Sequence, residues 1–195
     1  MEGTGDRLRL GAIAGSLRKK SFSRALTRCL NGLAPLNVTV QELPSIGALP
    51  LFNQDILDEG GIPAPLAELT EAIATMQGLI FVSPEYNWSI PGVLKNAIDW
   101  ISRLNPAPLQ DKPVIIFTCS PGLLGGARAH APLRNVLHSL DCRILARPEV
   151  QISQIRTKLS DDMSSIADTA TAEFVAQRLA AFSEFARRNS QHLVS

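Results

Sequence analysis

Three short stretches hold the residues able to do chemistry, and none of them is a set of acids, bases or nucleophiles. Ser83-Pro84-Glu85-Tyr86-Asn87-Trp88-Ser89-Ile90-Pro91-Gly92 mixes carboxylate, amide and aromatic groups between an apolar run at 78–82 and an amphipathic segment. Pro84 and Pro91 fix φ there, which lowers the entropy lost when backbone groups are held against a ligand. Gly15-Ser16-Leu17-Arg18-Lys19-Lys20-Ser21-Phe22-Ser23-Arg24 leaves another apolar run and enters a helical pattern. Free amides at a helix start favour an anion, as does the helix dipole, and Ser16, Ser21 and Ser23 add hydroxyl donors while Arg18 adds a charged planar fork. One terminal phosphate suits this loop, which has neither the GxxxxGK(S/T) of a triphosphate loop nor the GxGxxG of a dinucleotide fold. Taken alone, the same residues also read as an N-cap beside a solvated basic turn. In Cys119-Ser120-Pro121-Gly122-Leu123-Leu124-Gly125-Gly126-Ala127-Arg128 the glycines allow close backbone approach to a flat ligand, and side-chain chemistry is scarce. That scarcity suits a bound group that brings its own reactivity.

Such loops need a frame. Five runs, 8–14, 38–43, 79–82, 114–118 and 143–152, are apolar or alternating and bounded by turn residues, so they read as strands. Helical patterns fill 22–33, 65–76, 91–104, 128–140 and 164–188. The alternation predicts an α/β protein: right-handed βαβ units in a doubly wound parallel sheet of order 2-1-3-4-5, one domain spanning 1–195. In such a sheet ligands lie outside the carboxyl ends of the strands, at the switch between strands one and three, where two of the three loops emerge. Segment 45–65, with its prolines and glycines, reads as a long surface connection. On helix 91–104, Val93, Leu94, Ala97, Ile98, Trp100, Ile101 and Leu104 form an apolar arc of roughly 160°, wider than the ~100° that covers one sheet face. A second subunit covering the excess is the expectation, with Trp100 facing it; the alternative cover is segment 45–65 or the last helix.

Composition narrows the partners. A formal net charge of +1, from 19 basic and 18 acidic residues, provides no field to attract nucleic acid or an anionic membrane, so small molecules are expected. The start of the chain has no cleavable apolar pattern and no run approaches the ~20 residues of a transmembrane helix, which predicts a cytoplasmic protein. Cys29, Cys119 and Cys142 have neither CxxC nor zinc spacing and read as reduced thiols, Cys119 as core. His130, His138 and His192 are not spaced with carboxylates or cysteines as ligands, so no metal is expected.

The three loops, in this order, resemble those of the NADPH-dependent FMN reductases, a flavodoxin-like group that includes quinone, chromate and azo-dye reductases. The likeness runs from about residue 8 to about residue 150. It implies noncovalent FMN, with Ser16, Arg18, Ser21, Phe22 and Ser23 in the phosphate loop. Ser23 stands where the family usually has asparagine, and serine has a shorter reach and one donor rather than two. The resemblance places Pro84, Glu85, Tyr86 and Asn87 along the flavin, backbone amides near N5 and the Asn87 amide near the pyrimidine edge, with Ser120, Gly122 and Gly125 in the third loop. Tyr86 and Trp88 read as an aromatic wall for a nicotinamide or quinone, or, for Trp88 equally, as interface packing. No side chain is expected to be catalytic, since the chemistry falls on flavin N5. NADPH or NADH would donate hydride in a ping-pong cycle, with a small electron acceptor (a quinone, free flavin, chromate or an azo compound) taking the electrons, in a homodimer or homotetramer. Arg18, Lys19, Lys20 and Arg128 are candidates to meet a 2′-phosphate, which favours NADPH. The alternative is a flavodoxin-like electron carrier with no NAD(P)H oxidation of its own; near-zero charge weighs against a carrier steered to a protein partner.

Overall fold

The computed structural model describes residues 7–190; the start of the chain and His192 lie outside them. Strands that are buried on both faces must be apolar along most of their length, and the two central strands obey that rule. β1 (Leu8–Ala14) leads through α1 (Phe22–Leu33) to β2 (Val38–Glu42), and after α2 (Gln54–Gly60) and α3 (Ala64–Ala74) comes β3 (Gly78–Pro84). Then follow α4 (Gly92–Ile101), β4 (Pro113–Cys119), α5 (Ala127–His138), β5 (Arg143–Ile144), β6 (Val150–Ile152), α6 (Ile155–Lys158) and α7 (Thr169–Ser190). All pairings are parallel and the order is β2-β1-β3-β4-β5, with β6 also on β4. In β3 and β4 every residue but Pro84 is buried, the signature of central parallel strands covered on both sides.

Two apolar layers provide that cover. Ala25, Leu26 and Leu30 of α1 and Val175, Leu179, Phe182 and Ala186 of α7 pack on one face of the sheet. On the other face lie Leu66, Leu69 and Ile73 of α3, Leu94, Ile98 and Trp100 of α4, and Leu133 and Leu137 of α5. α1 starts where the sequence puts it, because the Ser21 side chain caps it, Oγ accepting from the Arg24 amide at 3.4 Å.

Three expectations need correction. The fifth strand is two short ones, with Arg147-Pro148 between them, since Pro148 has no N–H to give to a ladder. β5 pairs with the start of β4 and β6 with its end, Val114 opposite Ile144 and Phe117 opposite Val150, so the chain leaves the sheet and rejoins it further along β4. The Arg178 guanidinium of α7 ties down the excursion by donating to the Arg147 carbonyl at 3.0 Å. Secondly, segment 45–65 is no bare surface connection: it contains a 3-10 turn at Ile46–Ala48 and then α2, and it buries Ile46 and Leu49. Thirdly, that segment is what covers the wide arc of α4. Trp100 is wholly buried within the chain, its Nε1 donating to the Pro50 carbonyl at 2.8 Å and its ring edge-on to Phe52 at 5.1 Å. Asn96 completes the seam, its Oδ1 accepting from the Phe52 amide at 2.7 Å. The face of α4 holding Trp100 therefore gives no reason for a second subunit.

Candidate functional site

The carboxyl ends of β1, β3 and β4 lie side by side, so the loops leaving them converge. The Gly15 amide continues the β1–β3 ladder by donating to Val82 at 2.8 Å, and one step further the Ser16 and Tyr86 hydroxyls meet at 3.1 Å. That hydrogen bond links two loops 70 positions apart in sequence. Between the loops is a cavity of about 280 Å³ lined by Arg18, Ser21, Phe22 and Ser23 from the first, Pro84, Glu85 and Tyr86 from the second, and Cys119, Ser120 and Pro121 from the third. Its size is near the lower end of the roughly 300–1,000 Å³ of small-molecule pockets. A second cavity of about 410 Å³ adjoins Ser16 on the β2 side, lined by Arg24, Gln41 and Glu42. A larger one, about 720 Å³, lies beside Met76, Leu104 and Pro106, at the opposite end of the strands from these loops.

The anion-binding end forms at α1. Its first-turn amides have no intrahelical acceptor, and the buried Ser21 and Ser23 hydroxyls share a hydrogen bond of 2.8 Å. Because Ser21 Oγ already accepts from Arg24, a proton given by Ser23 leaves the Ser21 hydroxyl free to donate outward. Arg18 stands over the Phe22 ring at 5.8 Å, which directs a cation along the same loop.

The second loop departs from expectation. Tyr86 and Ser89 exchange two backbone hydrogen bonds of 3.0 Å, closing a two-residue turn with Asn87 at φ 48° and Trp88 at φ 67°. The side chain of Asn87 sits exposed on that corner, not in the cavity, so the geometry does not bring its amide to a bound ring. Glu85 lines the cavity but is engaged: Oε2 accepts from the Arg128 amide at 3.0 Å and Oε1 lies 3.7 Å from Nη1 of the same arginine. Arg128 is thus engaged at the site itself, and its guanidinium carbon lies over the Trp88 ring, 3.8 Å from the centroid. Nothing local in the sequence announces this pair.

Two glycines in the third loop are required by packing within the chain. A Cβ on Gly125, at φ +60°, would meet the Gln151 carbonyl carbon and the Ser153 nitrogen at 2.8 Å, and one on Gly126, at φ +84°, would meet Thr118 at 2.9 Å. Both let the loop backbone fold closely onto β4 and β6. Gly122 is exposed at the loop tip and holds the loop shape, its carbonyl accepting from the Gln154 amide at 3.0 Å. Of the twelve residues expected at a flavin, Ser16, Asn87, Gly122 and Gly125 do not line the cavity, whereas Cys119 and Pro121, which were not expected, do.

Cys119 ends β4 with its side chain packed in the core; burial pushes its thiol up to about 12. Cys142 is pushed up to about 12 by burial and then by Asp141. Thiols raised on folding from the ordinary 9.0 contribute stability that is whole below that pH and is lost as pH climbs through about 12. Accordingly, Cys119 and Cys142 should resist a disulfide reagent at pH ~8 in the folded protein, and all three cysteines should react after unfolding. Fast labelling of Cys119 in the folded state would make it a reactive thiol. His130 is buried in α5, its pKa lowered mainly by burial while Glu149 opposes the shift, and His138 is exposed.

A parallel sheet of order 2-1-3-4-5 with a cavity at its β1/β3 switch defines a flavodoxin-like protein. Residues 8–157 match the family described as NADPH-dependent FMN reductase. The chain is 42% identical to the quinone reductase of Escherichia coli K12 over 183 residues, covering 94% of this chain and 97% of that protein. It is 38% identical to an NAD(P)H-dependent FMN reductase of Pseudomonas aeruginosa, with the same coverage. Among solved structures it superposes on FerB, a flavoenzyme NAD(P)H:(acceptor) oxidoreductase from Paracoccus denitrificans, with TM-score 0.84 and 31% identity, covering 93% of this chain and 98% of that one. The chain belongs to the NADPH-dependent FMN reductase family. It is an FMN-dependent NAD(P)H oxidoreductase serving a small acceptor, and among the described residues no helix is long and apolar enough to cross a membrane.

The chemistry of the cavity lining suits FMN. A phosphate would sit at the α1 end, where Arg18 and the Ser21 hydroxyl converge, and a flat ring would reach toward Pro84, Tyr86 and Ser120. The single carboxylate in the lining, Glu85, is held by Arg128 and so does not oppose the anion unscreened.

Proposed function

We propose that the protein is a quinone reductase that uses NADPH, acting as one flavin-binding domain. The observation that carries this reading is the cavity shared by three loops, cationic and rich in hydroxyls at one end and open beside exposed Tyr86 at the other. FMN, when bound, would supply the two-electron redox chemistry that links oxidation of NADPH, by loss of a hydride, to reduction of the quinone, which with one proton from solvent becomes a hydroquinone. The protein's part is to hold and orient. Arg18, Ser21 and the first amides of α1 fix the phosphate, Ser23 aims the Ser21 hydroxyl, and Ser16 holds the Tyr86 phenol against the cavity rim. Phe22, Pro84 and Ser120 line the same cavity and would restrict a bound ring. With Glu85 held by Arg128, the one proton needed beyond the donor's hydride comes from solvent, and the same open mouth serves donor and acceptor in turn. That relatives bear the name quinone reductase supports the choice of acceptor class. Lys19 and Lys20, both exposed beside the phosphate loop, remain to meet a 2′-phosphate and favour NADPH over NADH.

A homodimer or homotetramer accords with the exposed apolar side chains on the three site loops, where Leu17, Trp88, Leu123 and Leu124 are 47, 70, 79 and 50% exposed. Three free, buried cysteines suit the reducing cytoplasm. Anaerobic NADPH should bleach the flavin absorbance of the purified protein within the mixing time of a spectrophotometer, and a quinone should restore it. A flavin that bleaches with dithionite but not with NADPH would leave only an electron carrier, and sedimentation of the active preparation as a monomer would remove the oligomer.

A further inference from the structure

The cavity of about 720 Å³ at the far end of the strands has no part in the flavin chemistry. It adjoins the start of β4, whereas the flavin cavity adjoins its end; seven strand residues at ~3.3 Å each put roughly 20 Å between the two. Its walls are aliphatic: Ile62, Met76, Leu104, Pro106 and Pro108 line it, and no aromatic side chain does. A volume of this size is ordinary for a small-molecule pocket. One charge is set into the wall. Lys112, the residue before β4, lines the cavity yet is only 7% exposed. Lysine is seldom buried so far without a carboxylate to pair with it, and among the described residues Lys112 makes no ion pair. Its Nζ donates instead to two carbonyls at the end of α3, Met76 at 2.9 Å and Ile73 at 3.4 Å. An ammonium has three N–H groups, so one is left over, and the carbonyl dipoles of a helix end offset only part of a whole charge. Burial pushes the amine below its ordinary 10.5, and no charged neighbour opposes that shift. The acidic residue of the lining, Glu71, is exposed on α3 and forms no pair with Lys112. One uncompensated ammonium in an aliphatic wall selects a ligand with one negative charge and an aliphatic body. A carboxylate matches the single free donor, whereas the two charges of a phosphate need more.

We propose that this cavity is a second binding site, for an aliphatic monocarboxylate of medium length, its carboxylate on the Lys112 ammonium and its chain along Met76, Leu104 and Pro106. The site stands apart from the flavin-site reading, since no residue lines both cavities.

The probes are octanoate, octanamide and 2-naphthoate, each titrated calorimetrically into the FMN-loaded enzyme. Octanoate should bind once per chain and leave FMN in place. Octanamide, of equal length and no charge, should bind roughly ten- to a hundredfold more weakly, the ratio that one charge-assisted hydrogen bond gives. 2-Naphthoate should be the weaker of the two acids, because the walls hold no ring for it to stack on. Lys112→Met should bring octanoate down to the affinity of octanamide and leave octanamide within about twofold. Since Lys112 also braces the end of α3, Ala107→Trp is the independent variant: Ala107 lines the cavity from an exposed loop, and an indole there should abolish binding of both probes with Lys112 untouched. If Lys112→Met does not fold, Ala107→Trp decides. Equal affinities for octanoate and octanamide would overturn the proposal, as would octanoate binding that neither variant weakens, tighter binding of 2-naphthoate, or release of FMN by octanoate. Two other occupants are tested in the same titrations. Ser190 lines the cavity, so a rise of about tenfold in octanoate affinity in Leu193→Glu would give the cavity to the chain's own residues 191–195 and sink the proposal. A fall in sedimenting mass on adding octanoate would give it to a second copy, with the same result.

Discussion

Trp100→Glu is expected to leave no folded protein in solution. Trp100 is completely buried among the residues that join α3, α4 and the 3-10 turn, and its ring packs edge-on against Phe52 at an interplanar angle of 77°. Removing a buried tryptophan costs about 3–5 kcal/mol in lost contacts and cavity. Burying a carboxylate without a partner adds several kcal/mol more, unless the group is protonated at a similar cost. The sum approaches or exceeds the roughly 5–15 kcal/mol that holds a domain of ordinary stability together. Expression should yield aggregate, and any soluble fraction should lack a cooperative thermal transition. Trp100→Phe is the control: the Pro50 carbonyl keeps a second donor, Asn96 Nδ2 at 2.9 Å, so only about 1–2 kcal/mol should be lost. A Trp100→Glu protein that folds normally and only dissociates would mean that α4 faces a partner after all.

The second large effect is discrimination between FMN and riboflavin, which differ by the terminal phosphate. Charge-assisted hydrogen bonds are worth about 1.5–3 kcal/mol each, and Arg18 and the helix start with Ser21 offer two sets of donors. The lower figure applies to Arg18, because it is exposed to solvent and screening. FMN should therefore bind on the order of 100-fold more tightly than riboflavin, with the gap narrowing as ionic strength rises. Arg18→Ala should weaken FMN roughly tenfold and leave riboflavin where it was. Quenching of flavin fluorescence measures both constants in one titration. Equal affinities in the unmodified protein would dispose of the phosphate loop, since no other feature of the cavity tells the two ligands apart.

The sequence alone determines what depends on neighbours in the chain. β3 and β4 are legible because a strand buried on both faces must be apolar along most of its length, and α1 is legible because a serine able to cap it precedes its apolar period. Since strands and helices alternate, the sheet is parallel and the loops after β1, β3 and β4 share one edge, which places the site. The helix at Gln54–Gly60 escapes notice because none of its residues is buried, so it has no apolar period to read. What the site does with its residues is a matter of distance through space. The Glu85–Arg128 pair spans 43 positions and the Trp100–Pro50 bond spans 50, and no periodicity encodes either. Glycine shows at positions 125 and 126 that the backbone comes close to something, but only packing shows that the something is Gln151, Ser153 and Thr118. The same limit applies to the arc on α4: hydrophobicity fixes that a surface must be covered, and the free energy of burial is indifferent to which chain covers it. Tertiary structure decides in favour of segment 45–65, because Pro50 and Phe52 reach Trp100 within the same chain.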